Sequence, residues 1–353
     1  MIVHRYVENP LIKKDSIAPS RPDLHVIGIF NCGGVKLNGE IILLCRIAEA
    51  ATETAIHYHV PIVNEWDNVR LLAFDKRDKS LDFSDPRIIC NKNNGSIVAL
   101  TSLSHLKVAR SKDGIHFTFT NEPLFILDPR IEPWGVEDPR ITPIGEWFYV
   151  TFTSVSPKGA YVSLLRTKDF IRIERLGIIL PPTNKDTVLF PEMVQGLYWM
   201  LHRPSPSGIG NSDIWISESK DLLHWGGHEH LFGIVESSNW EHKKISAGAP
   251  PIKIEEGWLV FYHGVDHDET YSLGAVLLDA VNPKKIIGRT ADPIMTPEMS
   301  YEREGFFNNT IFPCSAWLEE ENGSREIVMY YGASDSSICR ADLLVDDILS
   351  HMK

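Results

Sequence analysis

Nine consecutive residues, Trp134-Gly135-Val136-Glu137-Asp138-Pro139-Arg140-Ile141-Thr142, carry the densest chemistry in the chain. Two adjacent carboxylates and an arginine offer a proton donor, an acceptor for hydroxyl groups and a balancing charge. A strand-like run, Trp147-Phe148-Tyr149-Val150, follows. Pro139 fixes its own φ and biases Asp138 toward an extended backbone. Neighbouring residues of an extended chain point to opposite sides. One carboxylate is therefore expected to face outward from the strand and the other the body. Asp-Pro-Arg also occurs at Asp85-Pro86-Arg87 and Asp128-Pro129-Arg130, where it reads as turn punctuation. By that standard Asp138 and Arg140 would be no more than a structural ion pair at the start of a strand.

Cations recur after apolar runs. Arg46 closes Ile41-Ile42-Leu43-Leu44, Arg203 follows Tyr198-Trp199-Met200-Leu201-His202, and His263 follows Trp258-Leu259-Val260-Phe261-Tyr262. A guanidinium at the end of such a strand must be paired or wet. For Arg46 the plain alternative is a pair with Glu49. His263 alone would read as a hydrogen-bonded core histidine, Lys243-Lys244 as a solvated surface pair, and Asp335 as a cap on the final turn. Phe30-Asn31-Cys32-Gly33, Asn184-Lys185-Asp186 and Phe190-Pro191-Glu192 add further polar groups beside apolar runs. The combination predicts one carboxylic acid and a cluster of cations. A glycosidase that uses water needs two carboxyl groups. A phosphorylase needs only the acid, because its nucleophile is already anionic and has to be held by Arg, Lys and His. No partner carboxylate for Asp138 is obvious.

Bringing these residues together requires a repeating β architecture. Turns occur at Asn38-Gly39, Asn94-Gly95, Ile144-Gly145-Glu146, Gln195-Gly196, Glu256-Gly257 and Asn322-Gly323, each followed by a β-rich run, with the glycines 50 to 66 residues apart. Ser111-Lys112-Asp113, Thr167-Lys168-Asp169 and Ser219-Lys220-Asp221 repeat with aspartates 56 and 52 residues apart, and read as turns between the outer strands of one unit. This period predicts an all-β, five-bladed β-propeller, with six blades as the alternative count. The inner strands of a propeller line a channel, so residues far apart in sequence converge at its mouth. The end, Ala341 to Leu349, fits one short helix or an edge strand.

The chain has 353 residues, 43% of them hydrophobic, enough for a substantial core. Nine Trp, ten Tyr and fifteen Phe supply rings that stack on sugars when they are not in the core. A net charge of −12 argues against nucleic acid or an anionic membrane as partner. It leaves room for an anionic substrate held by a few convergent cations. The amino terminus lacks a signal-like apolar segment, and no stretch approaches the length of a spanning helix. Five scattered cysteines without a Cys-x-x-Cys pair indicate neither a disulfide framework nor a metal site. These features point to the cytoplasm.

From about Asn9-Pro10 to Gly332-Ala333-Ser334-Asp335 the chain resembles glycoside hydrolase family 130, the β-mannoside phosphorylases and related β-mannosidases. Gly135-Val136-Glu137-Asp138-Pro139-Arg140 is the most specific motif. Leu201-His202-Arg203-Pro204, Gly248-Ala249-Pro250-Pro251 and Tyr262-His263-Gly264 support it. The resemblance implies one five-bladed propeller catalytic domain over residues 1–353. It implies a glycoside phosphorylase that transfers a mannosyl group to phosphate with inversion, giving α-mannose 1-phosphate. Asp138 would be the sole proton donor, acting through the 3-hydroxyl of the mannose. Asn31, Arg46, Glu137 and Asp335 would bind sugar. Arg203, Lys244 and His263 would cradle phosphate, with Lys185 and Tyr271 as weaker matches. Met193 departs from the lysine common in relatives. The long segment from Ala51 to Phe83 resembles the branch acting on β-1,2-mannosides, with β-1,4 linkage the other option. The expected partners are a small oligosaccharide and inorganic phosphate as co-substrate, with no cofactor, metal, nucleic acid or membrane. Homo-oligomer formation stays open. Two other readings compete: a hydrolase of the same family, with Glu192 or Glu241 activating water, and a non-catalytic carbohydrate-binding or protein-binding propeller.

Overall fold

The computed structural model describes residues 3–65, 68–206, 208–321 and 323–353. Its described residues are dominated by antiparallel β-structure, with two short α-helices, Ser300–Arg303 and Val345–Ser350. Five large sheets follow one another along the chain, each built on four antiparallel strands in a row, with a fifth short strand in the fourth and fifth sheets. We number the first strand of each: β1 (Leu24–Leu37), β2 (Val136–Ile144), β3 (Asn184–Leu189), β4 (Lys244–Ala247) and β5 (Ile311–Glu321). The fifth sheet takes its outermost strand, Val3–Arg5, from the other end of the chain, with Val3 opposite Leu343.

The second strands explain why the sequence reads as continuous apolar runs. Alternate residues of a strand point to opposite faces, and here each face meets a different neighbouring sheet. In the fourth sheet, Leu259 and Phe261 join the core shared with the fifth. Trp258, Val260 and Tyr262 join the core shared with the third. Ile327 and Met329 likewise separate from Val328 and Tyr330, and Leu43 and Cys45 from Ile42 and Leu44. A fifth core, around Val162, Leu164, Leu189 and Met200, joins the second sheet to the third. Since Ile29 and Leu43 pack with Val328 and Ile338, the last sheet is joined to the first and the packing closes on itself. Emptying any of these positions, for example Leu259→Ala, is expected to cost about 2–5 kcal/mol.

Five of the glycine turns do one job. Asn38-Gly39, Gly145, Gln195-Gly196 and the turn ending at Gly323 each follow the first strand of a sheet, and Glu256-Gly257 precedes the second strand of the fourth. Asn322 lies outside the described residues. The sixth, Asn94-Gly95, belongs instead to an insertion between the second and third strands of the first sheet. That insertion holds a hairpin (His57–Asn64 with Asn68–Asp75) and a three-stranded sheet (Leu81–Asp82, Ile88–Asn91, Ile97–Leu100). The Ser/Thr-Lys-Asp repeats join third to fourth strands, as the sequence predicts. Asp113, Asp169 and Asp221 each accept two backbone N–H groups of the turn through Oδ1. The end of the chain holds a strand and then a helix, but the strand is not the edge strand expected. Ser337–Leu344 is an internal strand of the fifth sheet, and the Val345–Ser350 helix follows.

Candidate active site

Four first strands break register, β5 between Pro313 and Ser315, and in the other three the break places the chemistry. β1 is irregular between Phe30 and Gly33, β2 between Glu137 and Arg140, and β3 between Lys185 and Val188. At each of these three bulges an Asn or Asp sits in the left-handed region: Asn31 at φ 49°, Asp138 at 49° and Asp186 at 52°. Short polar side chains tolerate this conformation, and a bulge re-aims what it carries. The extended backbone predicted for Asp138 from its proline is thus overridden. The expectation that Glu137 and Asp138 face opposite ways fails for the same reason, because Arg46 bonds both. Its Nη1 reaches Asp138 Oδ1 at 3.0 Å and its Nη2 reaches Glu137 Oε1 at 3.1 Å.

The Asp138–Arg140 ion pair does not form either. Arg140 is buried and donates Nη1 to the Asp138 carbonyl at 2.7 Å, Nε to the Gly248 carbonyl at 3.1 Å and Nη2 to Asp186 Oδ1 at 3.0 Å. The other two Asp-Pro-Arg copies are local pairs at turns, Asp85 with Arg87 and Asp128 with Arg130. Arg46 ignores Glu49, which is taken by Ser20 and lies near His105.

All ten predicted site residues line one cavity of about 290 Å³. Its acid end is densely bonded. Asp138 Oδ1 accepts from Asn31 Nδ2 at 2.9 Å as well as from Arg46. Glu137 Oε2 takes Lys185 Nζ at 2.7 Å, so the cation of Lys185 is committed to a carboxylate. Burial works to raise the Glu137 carboxyl, but Lys185 and Arg46 prevail and hold it at about 2. Burial pushes the Asp335 carboxyl up to about 6, with Arg46 opposing and Asp138 adding. Two glycines make room for this arrangement. A Cβ on Gly135 (φ 90°) would meet the Ser104 carbonyl at 2.4 Å, and the Ser104 hydroxyl accepts Arg46 Nε. A Cβ on Gly332 would lie 2.1 Å from Asn31 Oδ1.

The other end is built from Arg203, Lys244, His263 and Tyr271. Arg203 gives Nη2 and Nε to Asp186 Oδ2 at 3.0 and 3.3 Å, and Nη1 to Ser205. Lys244 lies 4.9 Å from the centre of the Tyr271 ring and has no carboxylate partner among the described residues. Burial, then the Arg203 charge, brings its ammonium down to about 8. His263 stacks on Phe312 at 4.4 Å, and its buried Nδ1 has no partner among the described residues. Burial lowers it to about 3, which favours the neutral imidazole over the cation that its sequence position suggested. Lys243, by contrast, is exposed and pairs with Glu269, whereas Lys244 is half-buried in the cavity wall.

Several wall residues escaped the sequence reading. Arg87 comes from the insertion and lies 4.0 Å over the ring of Phe307. Ile88, Ile97 and Leu100 from the insertion, and Phe306 and Phe307 from the loop before β5, complete that side. Arg87 looked like a turn residue, and it is one as well. Phe306-Phe307 was an overlooked signal, an aromatic pair set among glycine and asparagine. Asp186 appeared among the polar residues but was given no role. The carboxylates proposed for a hydrolase lie elsewhere. Glu192 is exposed and pairs with Lys253, and Glu241 is locked to Tyr262 at 2.7 Å and Arg289 at 2.6 Å. Neither lines the cavity, which removes the basis for a water-activating role. Met193 is exposed and also outside it, so the missing lysine does not alter the wall.

Comparison with known proteins identifies the family. Residues 86–353 match the family model Glyco_hydro_130, described as beta-1,4-mannooligosaccharide phosphorylase. A beta-1,2-mannobiose phosphorylase of Listeria innocua is 40% identical over 356 residues, covering 100% of this chain and 99% of the relative. A beta-1,4-mannooligosaccharide phosphorylase of Ruminococcus albus is 35% identical, covering 69% of this chain and 74% of the relative. The solved structure of the Listeria innocua beta-1,2-mannobiose phosphorylase with beta-1,2-mannobiose superposes with a TM-score of 0.95, covering 99% of both chains. With the motif, the cavity and these matches in agreement, the chain belongs to glycoside hydrolase family 130.

Proposed function

We propose that this chain is a phosphorylase of β-mannosides, with β-1,2-linked substrates favoured, and that it releases α-mannose 1-phosphate with inversion. The observation that carries the reading is the asymmetry of the cavity. Among the described residues that line the phosphate end, the one carboxylate is Asp186, pinned as a counter-ion between Arg140 and Arg203. Paired in this way, Asp186 is not placed to activate water. Lys244 and His263 offer donors without acceptors among the described residues, as a bound phosphate requires.

In this mechanism Asp138 Oδ1 is occupied by two donors, so the transferable proton sits on Oδ2. It reaches the glycosidic oxygen through the 3-hydroxyl of the mannose. Phosphate, held by Arg203, Lys244 and His263, attacks the anomeric carbon from the opposite face, and the C–O bond to the leaving sugar breaks. Asn31, Arg46, Glu137 and Asp335 hold the mannose. Inorganic phosphate is the co-substrate and no cofactor takes part. The β-1,2 preference rests on the full-length similarity to the Listeria innocua enzyme, insertion included.

We read the five sheets as the blades of a five-bladed β-propeller forming one catalytic domain. Consecutive cores join each sheet to the next, and the last to the first. Five unpaired cysteines suit a cytoplasmic site of action; no described helix is long and apolar enough to cross a membrane.

The test is product analysis with β-1,2- and β-1,4-mannobiose, with and without phosphate. Mannose 1-phosphate and mannose are expected only when phosphate is present, and faster from the β-1,2 disaccharide. Sugar release indifferent to phosphate would remove the reading.

A further inference from the structure

Asp186 is placed where no sugar or phosphate contact has been assigned to it. It occupies on β3 the bulge position that Asp138 occupies on β2, with almost the same left-handed φ. It is 3% exposed. Its two oxygens divide between two arginines. Oδ1 accepts Arg140 Nη2 at 3.0 Å, and Oδ2 accepts Arg203 Nη2 and Nε at 3.0 and 3.3 Å. Arg140 in turn donates to the backbone carbonyl of Asp138 at 2.7 Å. A continuous set of charge-assisted bonds thus runs from the acid's own backbone, through Arg140 and Asp186, to the guanidinium at the other end of the cavity. Arg140 does not line the cavity.

An arginine side chain loses considerable rotamer freedom when it is fixed, and two bonds to one carboxylate fix the plane of its fork. Without Asp186, Arg203 would keep one bond, to Ser205, and Arg140 would keep only backbone acceptors. Asp186 also places a negative charge among Arg140, Arg203, Lys185 and His263, which lowers the cost of holding those groups together before any phosphate arrives.

We propose that Asp186 is a positioning residue that orients Arg203 for phosphate and ties it, through Arg140, to the strand that carries Asp138. The proposal rests on the phosphorylase reading above. It predicts that a residue remote from the ligands, Arg140, changes phosphate use.

The experiment compares wild type, Asp186→Asn and Arg140→Lys, each as the full chain, by steady-state kinetics with phosphate and mannobiose varied independently. Asp186→Asn keeps the shape and one acceptor but loses the charge. Its phosphate KM is expected to rise on the order of ten- to a hundredfold, with the mannobiose KM within about twofold of wild type. Arg140→Lys is expected to move the same constant in the same direction. A phosphate KM that is unchanged or lowered, or a rise shared equally by both substrates, would overturn the proposal even where thermal stability drops. If Asp186→Asn does not fold, Arg140→Lys decides by the same readout. Wild type that turns over without phosphate would defeat the underlying reading instead, a result seen before either variant is measured.

Discussion

The two ends of the cavity differ in how their charges are satisfied. At the acid end, Glu137 and Asp138 share Arg46, Lys185 closes on Glu137, and Asn31 closes on Asp138. At the far end, among the described residues, Lys244 has an aromatic ring beside it and no carboxylate in salt-bridge contact, and His263 has a buried nitrogen without a partner. Burying a cation without a partner is costly, and the depressed Lys244 ammonium is the visible sign of that cost. The first end pairs its arginine and lysine within the protein, leaving the buried Asn31 Oδ1 without a partner among the described residues, and so can hold a neutral sugar in fixed geometry. The second end is incomplete until an anion fills it.

Breaking the acid end should have the largest effect. Asp138→Asn is expected to lower kcat by about 10²–10⁴-fold, the usual contribution of a positioned acid. Mannobiose binding, followed by calorimetry, should stay within a few-fold, because the amide can still accept from Asn31 and Arg46 through its oxygen. A variant retaining a tenth of wild-type turnover would mean that the proton comes from elsewhere.

Breaking the far end should give a smaller effect confined to phosphate. Lys244→Met is expected to raise the phosphate KM by roughly ten- to a hundredfold, as for loss of a charge-assisted bond worth about 1.5–3 kcal/mol. The pH dependence sharpens this. The Lys244 ammonium is held below its ordinary value, near 8, in the empty cavity. It is charged below that pH and loses its proton above it. The phosphate KM should therefore be flat toward pH 7 and climb about tenfold between pH 7 and 9. Lys244→Met should abolish that climb. A wild-type phosphate KM flat through this window would detach Lys244 from the anion.

The smallest effect is expected at Met193. Its side chain is exposed and away from the cavity, so Met193→Lys should change the phosphate KM by less than about twofold. A larger effect would mean that the cavity is bounded differently when occupied.

Much of the site was legible because its residues sit beside recognisable punctuation. An apolar run followed by a cation and a breaker marks Arg203 and His263, and a dense polar motif marks Glu137 and Asp138. Pairing was not legible. Three Asp-Pro-Arg copies look alike in sequence, yet two close on themselves while the third sends its arginine to Asp186. That choice depends on a bulge, and a bulge is set by strand pairing across the sheet rather than by the local string. The same bulge overturned the extended conformation expected before Pro139. Arg87 was missed because its turn lies in the insertion, whose position over the cavity no periodicity reveals. The repeat was legible as a period. Only the sheets show that Asn94-Gly95 falls outside it.

The most direct test of the central claim is a crystal structure of the full chain grown with phosphate. One ordered phosphate is expected within hydrogen-bond reach of Arg203, Lys244 and His263, facing the cavity that Asp138 closes from the other end. Phosphate absent from that end, or bound against Arg46 and Glu137 instead, would contradict it.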